Sequence, residues 1–242
     1  GLPLERVLVG SRVLGLDLNG SDVRLTIGVN GSERLVVARQ VVAAIPPRML
    51  AAMTFSPAVD PVTWRRWQDT ATWMAPHAKF FALYDRPFWR EAGLSGTAQS
   101  FVGPMGEIHD ATTGSGKAAL FGFLGVEADA RASLGEQALT QACLTQFARL
   151  YGPQALQPLA TLFKDWAADS LTATARDRTA GGHPLSSTAP WVGDAWRHHL
   201  SLCGSETSAV EPGFMAGAVN AAHRAVGEVI ARLNDPARAR GG

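Results

Sequence analysis

Three places in the sequence carry residue types that could do chemistry. The first is Gly204-Ser205-Glu206-Thr207, a glycine-marked turn with one acid, followed by a helix that opens just after Pro212 and Gly213. The first N–H groups of a helix lack partners within it and carry the positive end of its dipole, so a helix start there suits an electron-rich group of a ligand. The plain alternative is a C-terminal strand and helix closing an α/β layer. The second is Lys79 within His77-Ala78-Lys79-Phe80-Phe81-Ala82-Leu83-Tyr84. Period-2 alternation puts its amine on the face of Phe81 and Leu83, either as an edge lysine whose stem covers apolar neighbours or as a partly buried amine aimed at a ligand. The third is Glu107, His109 and Asp110 between Gly103 and Gly116. These types could ligate a metal, but their spacing fits no defined site, and the stretch reads as a solvated hairpin loop.

Turn signals and periodicity predict the elements that must position these residues. Apolar residues from Val7 through Val37 alternate with polar or small ones, and Asn19-Gly20 and Asn30-Gly31 mark hairpins, so residues 6–45 read as a β-meander. It ends in Val41-Val42-Ala43-Ala44-Ile45, a continuous apolar run that predicts a strand buried on both faces, stopped by Pro46-Pro47. Asp60-Pro61 predicts an N-cap and first-turn proline for a helix through Trp64, Trp67 and Ala71. Further strands are expected at 77–84, 99–102, 118–124 and 158–166, with an amphipathic helix over 134–151 ended by Gly152-Pro153. Residues 175–190 read as an ordered loop over a site. His198 and His199 fall at the expected surface start of a short strand through Leu200, Leu202 and Cys203. The last helix carries Ala216, Gly217, Ala218, Ala221, Ala222 and Ala225 on a side that can lie close against something flat.

The chain has 242 residues, 46% of them hydrophobic, which is enough for a sizeable core in one large or two smaller domains. Its 22 basic and 21 acidic residues give a net charge of +1, with no basic stripe, so neither a polyanion nor a nucleic-acid partner is implied. No apolar run reaches the roughly 18 residues of a membrane span, and the opening Gly-Leu-Pro-Leu does not resemble a signal segment. Cys143 and Cys203 read as free core thiols, which points to a reducing, cytoplasmic setting. No Gly-x-Ser-x-Gly elbow, Walker loop, Gly-x-Gly-x-x-Gly turn after a strand, or internal repeat is present.

Four blocks in order resemble the flavin-dependent amine oxidase superfamily of monoamine and L-amino-acid oxidases. They are the apolar strand ending in Pro46-Pro47; the Lys79 strand with Arg86-Pro87-Phe88-Trp89; Trp166, where the family has a tryptophan beside the flavin; and Gly204–Thr207 with Gly213-Phe214-Met215-Ala216-Gly217-Ala218. The resemblance implies FAD as cofactor. It implies that Lys79 holds a water against flavin N5, that Gly204, Ser205, Glu206 and Thr207 face the pyrophosphate and ribityl chain, and that the Met215 N–H faces the pyrimidine carbonyl. It also implies that Val13 touches the adenine end and that Phe214 is one wall of an aromatic cage. The other wall falls at Gly181-Gly182-His183-Pro184, where His183 or Pro184 replaces a ring, and His109 and His183 are expected to line the substrate with Phe214.

The fold implied is α+β. Residues 1–47 and 195–242 would belong to an FAD-binding lobe, and residues 48–194 to a substrate lobe with a mixed sheet and flanking helices. The activity implied is oxidation of an amine or amino acid to an imine, with oxygen reduced to hydrogen peroxide. The N-terminal βαβ unit that binds the pyrophosphate is missing, so the resemblance implies a separate N-terminal FAD-binding chain or a fragment. Two other readings stay open: a desaturase-type flavoenzyme of the same superfamily, and a flavin-free ligand- or partner-binding remnant.

Overall fold

A computed structural model describes residues 2–179 and 182–235. The chain is α+β and forms two compact units, residues 1–72 with 182–242, and residues 73–181. In the first unit β1 (Ser11–Asn19), β2 (Asp22–Val29) and β3 (Ser32–Ala38) form the expected antiparallel meander. Asn30 and Gly31 have φ of 49° and 79°, the left-handed pair that a two-residue hairpin turn requires. The meander starts at Ser11, later than the alternation suggested, and Val7 and Val9 lie exposed outside it.

The chain continues through β4 (Val41–Ala43) and α1 (Pro47–Leu50) to β5 (Thr54–Ser56), which runs parallel to β1 and makes a mixed sheet of order β3-β2-β1-β5. A Cβ on Gly15 would lie 2.0 Å from the Thr54 hydroxyl, so this close approach requires glycine. Asp60 caps α2 (Pro61–Asp69) as expected, its Oδ1 accepting from the N–H groups of Val62 and Thr63 at 3.1 and 2.8 Å. Residues 48–72 and 182–194, expected in the other lobe, therefore pack with this unit: Trp67 is fully buried and donates to the Trp191 carbonyl at 2.8 Å, in a core with Leu16, Val23, Trp196 and Leu200.

The second unit contains β6 (Ala78–Tyr84), α3 (Phe88–Glu91), β7 (Ala98–Gln99), β8 (Met105–Asp110), β9 (Ala118–Leu124), α4 (Ala128–Leu134), α5 (Glu136–Tyr151) and β10 (Ala160–Asp165). Its sheet has the order β10-β6-β9-β8-β7 and is antiparallel throughout, where a mixed sheet was expected. Short hairpin connections from β7 to β8 to β9 dictate antiparallel neighbours. One face carries Phe80, Ala82, Tyr84, Leu120 and Leu124 into a core closed by Leu139, Cys143 and Phe147 of α5. Burial pushes the Cys143 thiol up to about 12, as suits an inert core thiol.

Back in the first unit, β11 (Leu200–Leu202) pairs in parallel with β4, and α6 (Met215–Leu233) follows. The expectation that the β4 run is buried on both faces is overturned, since Val42 is 45% exposed. The ladder uses the Val41 N–H to His199 O and the Cys203 N–H to Ala43 O, both 2.8 Å, which turns the Val42 backbone towards an edge that no described strand covers. The outer edge of β11 is closed instead by side chains, with Arg224 and Arg232 donating to Leu202 O and Leu200 O at 2.6 and 3.4 Å. His199 is buried, not on the surface, because this pairing draws it to the sheet. Among the described residues no helix is long and apolar enough to cross a membrane.

Candidate functional site

The predicted site residues fall on both units, and each unit has its own local geometry. In the first, Val13 is half-buried in β1 and packs towards the core. A Cβ on Gly204 would lie 2.9 Å from the Ile45 carbonyl, so glycine lets the turn after β11 pass close to the exit of β4. Ser205–Thr207 form one tight helical turn in which Glu206 and Thr207 are buried. The Thr207 hydroxyl donates to Gly204 O at 2.8 Å and accepts from Arg224 at 3.1 Å. The Gly213 N–H donates to Ser205 O at 3.2 Å, which ties the loop before α6 to the turn.

The α6 helix has 19 residues and no side-chain cap at its N-terminus, with Phe214 in the cap position and Met215 largely exposed. Its buried stripe is narrower than the small residues suggested: Gly217, Ala221 and Ala225 are covered, whereas Ala216 is exposed. A Cβ on Gly217 would meet Glu211 O at 2.1 Å. Gly217→Ala is therefore expected to push the 208–213 loop off α6 and cost about 1–3 kcal/mol, read as a lowered unfolding midpoint. The His183 and Phe214 rings stand together, centroids 4.8 Å apart and planes 37° apart, beside the buried Pro184. Gly181, the first residue of the expected second wall, lies outside the described residues.

In the second unit Lys79 lies on the face of its sheet opposite α5, as the alternation predicted. Its Nζ sits 4.8 Å from the Phe123 ring centroid, a cation–π contact. Around it, Phe81 stacks on Phe121 at 5.2 Å and His109 stacks on Phe121 at 5.1 Å. Trp166, just beyond β10, has Lys164 Nζ 4.6 Å from its ring, and that amine also pairs with Asp169. His77 is held below its ordinary value by burial first, then by Arg131 and Lys79.

Residues 105–110 are strand β8, not the expected loop. A register shift between Met105 and Glu107 breaks the period-2 pattern that would have marked it. The three polar residues separate in role. Glu107 Oε1 and His109 Nε2 are 2.6 Å apart beside Phe121. Asp110 instead accepts from Trp89 Nε1 at 2.7 Å, Arg90 Nε at 2.6 Å and the Thr112 N–H at 2.8 Å. Burial raises its carboxyl, but the bonds from Arg90, Thr112 and Trp89 outweigh that and hold it well below the usual carboxylate range. Its stabilisation is therefore present above the unfolded carboxyl's value near 3.9 and is lost as pH falls below it. Asp110→Asn should flatten that acid limb of the stability–pH curve, as checked by urea unfolding at stepped pH.

Solved structures share this fold. A putrescine oxidase triple mutant aligns with 92% of the chain at 25% identity and a TM-score of 0.68, and a cyclohexylamine oxidase from Brevibacterium oxydans at 24% and 0.68; the match covers 48% of each of those chains. A Mycobacterium tuberculosis protein named as a flavin-containing monoamine oxidase is 30% identical over 94% of the chain and 48% of its own length. A putrescine oxidase of Kocuria rosea is 30% identical over 58% of the chain and 30% of its own length. The family model described as flavin containing amine oxidoreductase matches residues 1–230, and the chain belongs to that family. It spans about half the length of the curated relatives that match it across most of its own length.

Proposed function

We propose that this chain supplies part of an FAD-dependent oxidase that converts an amine or amino acid to an imine and reduces oxygen to hydrogen peroxide. The observation that carries the reading is the start of α6, which has no side-chain cap among the described residues and whose first-turn N–H groups and dipole fit an acceptor oxygen such as the pyrimidine carbonyl of the flavin. The Met215 N–H is assigned to that carbonyl, Gly204–Thr207 to the pyrophosphate and ribityl chain, and the Val13 backbone to the adenine end. When bound, FAD accepts hydride from the carbon bearing the amine and passes the electrons to oxygen.

In this reading Lys79 Nζ would be the catalytic amine, holding a water for the flavin's N5, and Trp166 would line the flavin. Phe81, Phe121 and Phe123 are the apolar rings that would shield that amine once the site is complete. Phe214, His183 and His109 are assigned to the substrate, and the close His183–Phe214 ring pair supports a π-faced wall for an amine. The first unit is assigned to the FAD-binding lobe and the second to the substrate lobe. A further polypeptide segment, on this chain or on another, completes the flavin site. The open edge at Val42 supports this, because a two-stranded parallel pair is an incomplete sheet.

The test is flavin absorbance of the purified protein together with any chain that co-purifies. A visible flavin spectrum, as isolated or after adding FAD, is expected. A preparation that stays colourless removes the oxidase reading and leaves the flavin-free remnant.

A further inference from the structure

We propose that strand β3 is an interface between two copies of this chain, joined edge to edge and antiparallel about a two-fold axis at Val36. β3 is the end strand of its sheet, and no described strand pairs with its outer edge. It is seven residues long, free of proline, in unbroken register with β2, and carries Leu35 and Val37 at 68% and 61% exposure. Natural edge strands that stay single are kept short, bulged, broken by proline or guarded by charge. The charges of this one bracket its apolar pair and are opposite in sign: Glu33 before it, and Arg39 one residue past the strand.

The register decides which backbone groups are open. In a two-residue hairpin the residues flanking the turn, here Val29 and Ser32, exchange both backbone hydrogen bonds, and alternation then commits Arg34, Val36 and Ala38 to β2. The N–H and C=O groups of Glu33, Leu35 and Val37 therefore point to the open edge. Two such edges can meet about several axes, and the side chains choose among them. With the axis at Val36, Glu33 of each copy faces Arg39 of the other, and Leu35 faces Val37. An axis at Leu35 or Val37 sets Glu33 against Val37 or Val41 instead and leaves both charges unmatched. Glu33 and Arg39 are exposed, and neither has an ion-pair partner among the described residues of its own chain. Leu35 and Val37 share the face turned away from the core, since Val36 and Ala38 lie opposite Leu25 and Val23, which pack into it. Pairing thus joins the Leu35 and Val37 side chains of both copies into one apolar cluster, closed at each end by a Glu33–Arg39 ion pair. The interface needs no flavin and does not rest on the proposed oxidase.

The experiment is sedimentation velocity of the full chain, with any chain that co-purifies, across a dilution series. A reversible dimer with a dissociation constant on the order of 10 µM is expected, the scale of a small exchanging interface. Glu33→Arg replaces two ion pairs by two like-charge pairs and should weaken the dimer by at least roughly tenfold. Arg39→Glu should do the same, and both reversals together should restore the dimer to within about threefold. Val36→Cys tests the axis itself. Opposed residues of a non-hydrogen-bonded pair have Cα atoms about 4.5 Å apart, within the span of a disulfide, so mild oxidation should link two copies of the variant and not the unaltered chain. A chain that stays monomeric to about 100 µM overturns the proposal. So does a dimer indifferent to either charge reversal, a double reversal that fails to restore it, or a Val36→Cys variant that dimerises without linking. Flavin absorbance is read on the same samples: a colourless dimer sinks the oxidase alone, and a yellow monomer sinks the interface alone.

Discussion

Arg131→Met is expected to cost the second unit about 3–5 kcal/mol, the scale for removing one partner of a buried ion pair. The guanidinium is 2% exposed and makes four bonds. Nε and Nη2 hold the two Asp165 oxygens at 2.7 Å each, Nη1 donates to Val126 O at 2.6 Å, and Nη2 donates to Pro76 O at 2.9 Å. One side chain on α4 thus ties the end of β10 to Pro76 just before β6, one place from His77 and three from Lys79. Methionine fills much of the volume but leaves a largely buried carboxylate with the Ala167 N–H, at 3.0 Å, in place of the guanidinium, and two carbonyls without the arginine's donors.

Chemical unfolding will read the loss. Adding Asp165→Leu should recover part of it, because the orphaned charge goes while the carbonyls stay unpaired; no recovery would mean that packing around the arginine stem, not the charge, sets the cost. His77 supplies a second readout. Its lowered value means that the folded state resists protonating it, so its stability contribution is present above the free imidazole's value near 6.5 and is lost as pH falls below it. Removing Arg131 takes away one of the causes, so the His77 value should rise and this acid loss shrink.

The parts of the fold legible in the sequence were those governed by local chemistry. Asn30-Gly31 marks its hairpin because two consecutive left-handed residues leave few choices, and Asp60-Pro61 marks a helix start because the cap and the fixed proline φ agree. The alternation through Lys79 correctly predicted its face. Strand β8 was hidden because its bulge destroys the period, and with it went the register that sets Glu107 opposite Phe123. The alternation of Phe121 and Phe123 was visible, but nothing local says which face of a strand looks outward. Arg131 gave no signal, since a buried arginine and a surface one look alike until the partner strand is in place. Val42 misled for the opposite reason: an apolar run does not say whether a strand stands on each side of it, and among the described residues only β11 stands beside it.

Lys79→Met is expected to slow turnover and reoxidation of the flavin by oxygen on the order of 10²-fold, the lower end of what a positioned proton-handling group contributes. The substitution is chosen so that structure and chemistry respond differently. Methionine keeps a flexible stem over Phe123 and trades the cation–π contact, worth about 0.5–1 kcal/mol at a partly exposed position, for a sulfur–aromatic one of similar size. The unfolding midpoint should therefore barely move while the rates fall. Stopped-flow oxidation of the reduced, flavin-loaded assembly measures the oxygen step directly, and steady-state assays with amine measure the whole cycle. An unchanged oxygen rate would mean that this ammonium does not hold the water assigned to it, and a lowered midpoint would mean that it serves the sheet. A slow oxygen step in a protein that melts like the original separates chemistry from scaffolding, because the substitution removes the ammonium and its donors while keeping an apolar side chain against the same ring.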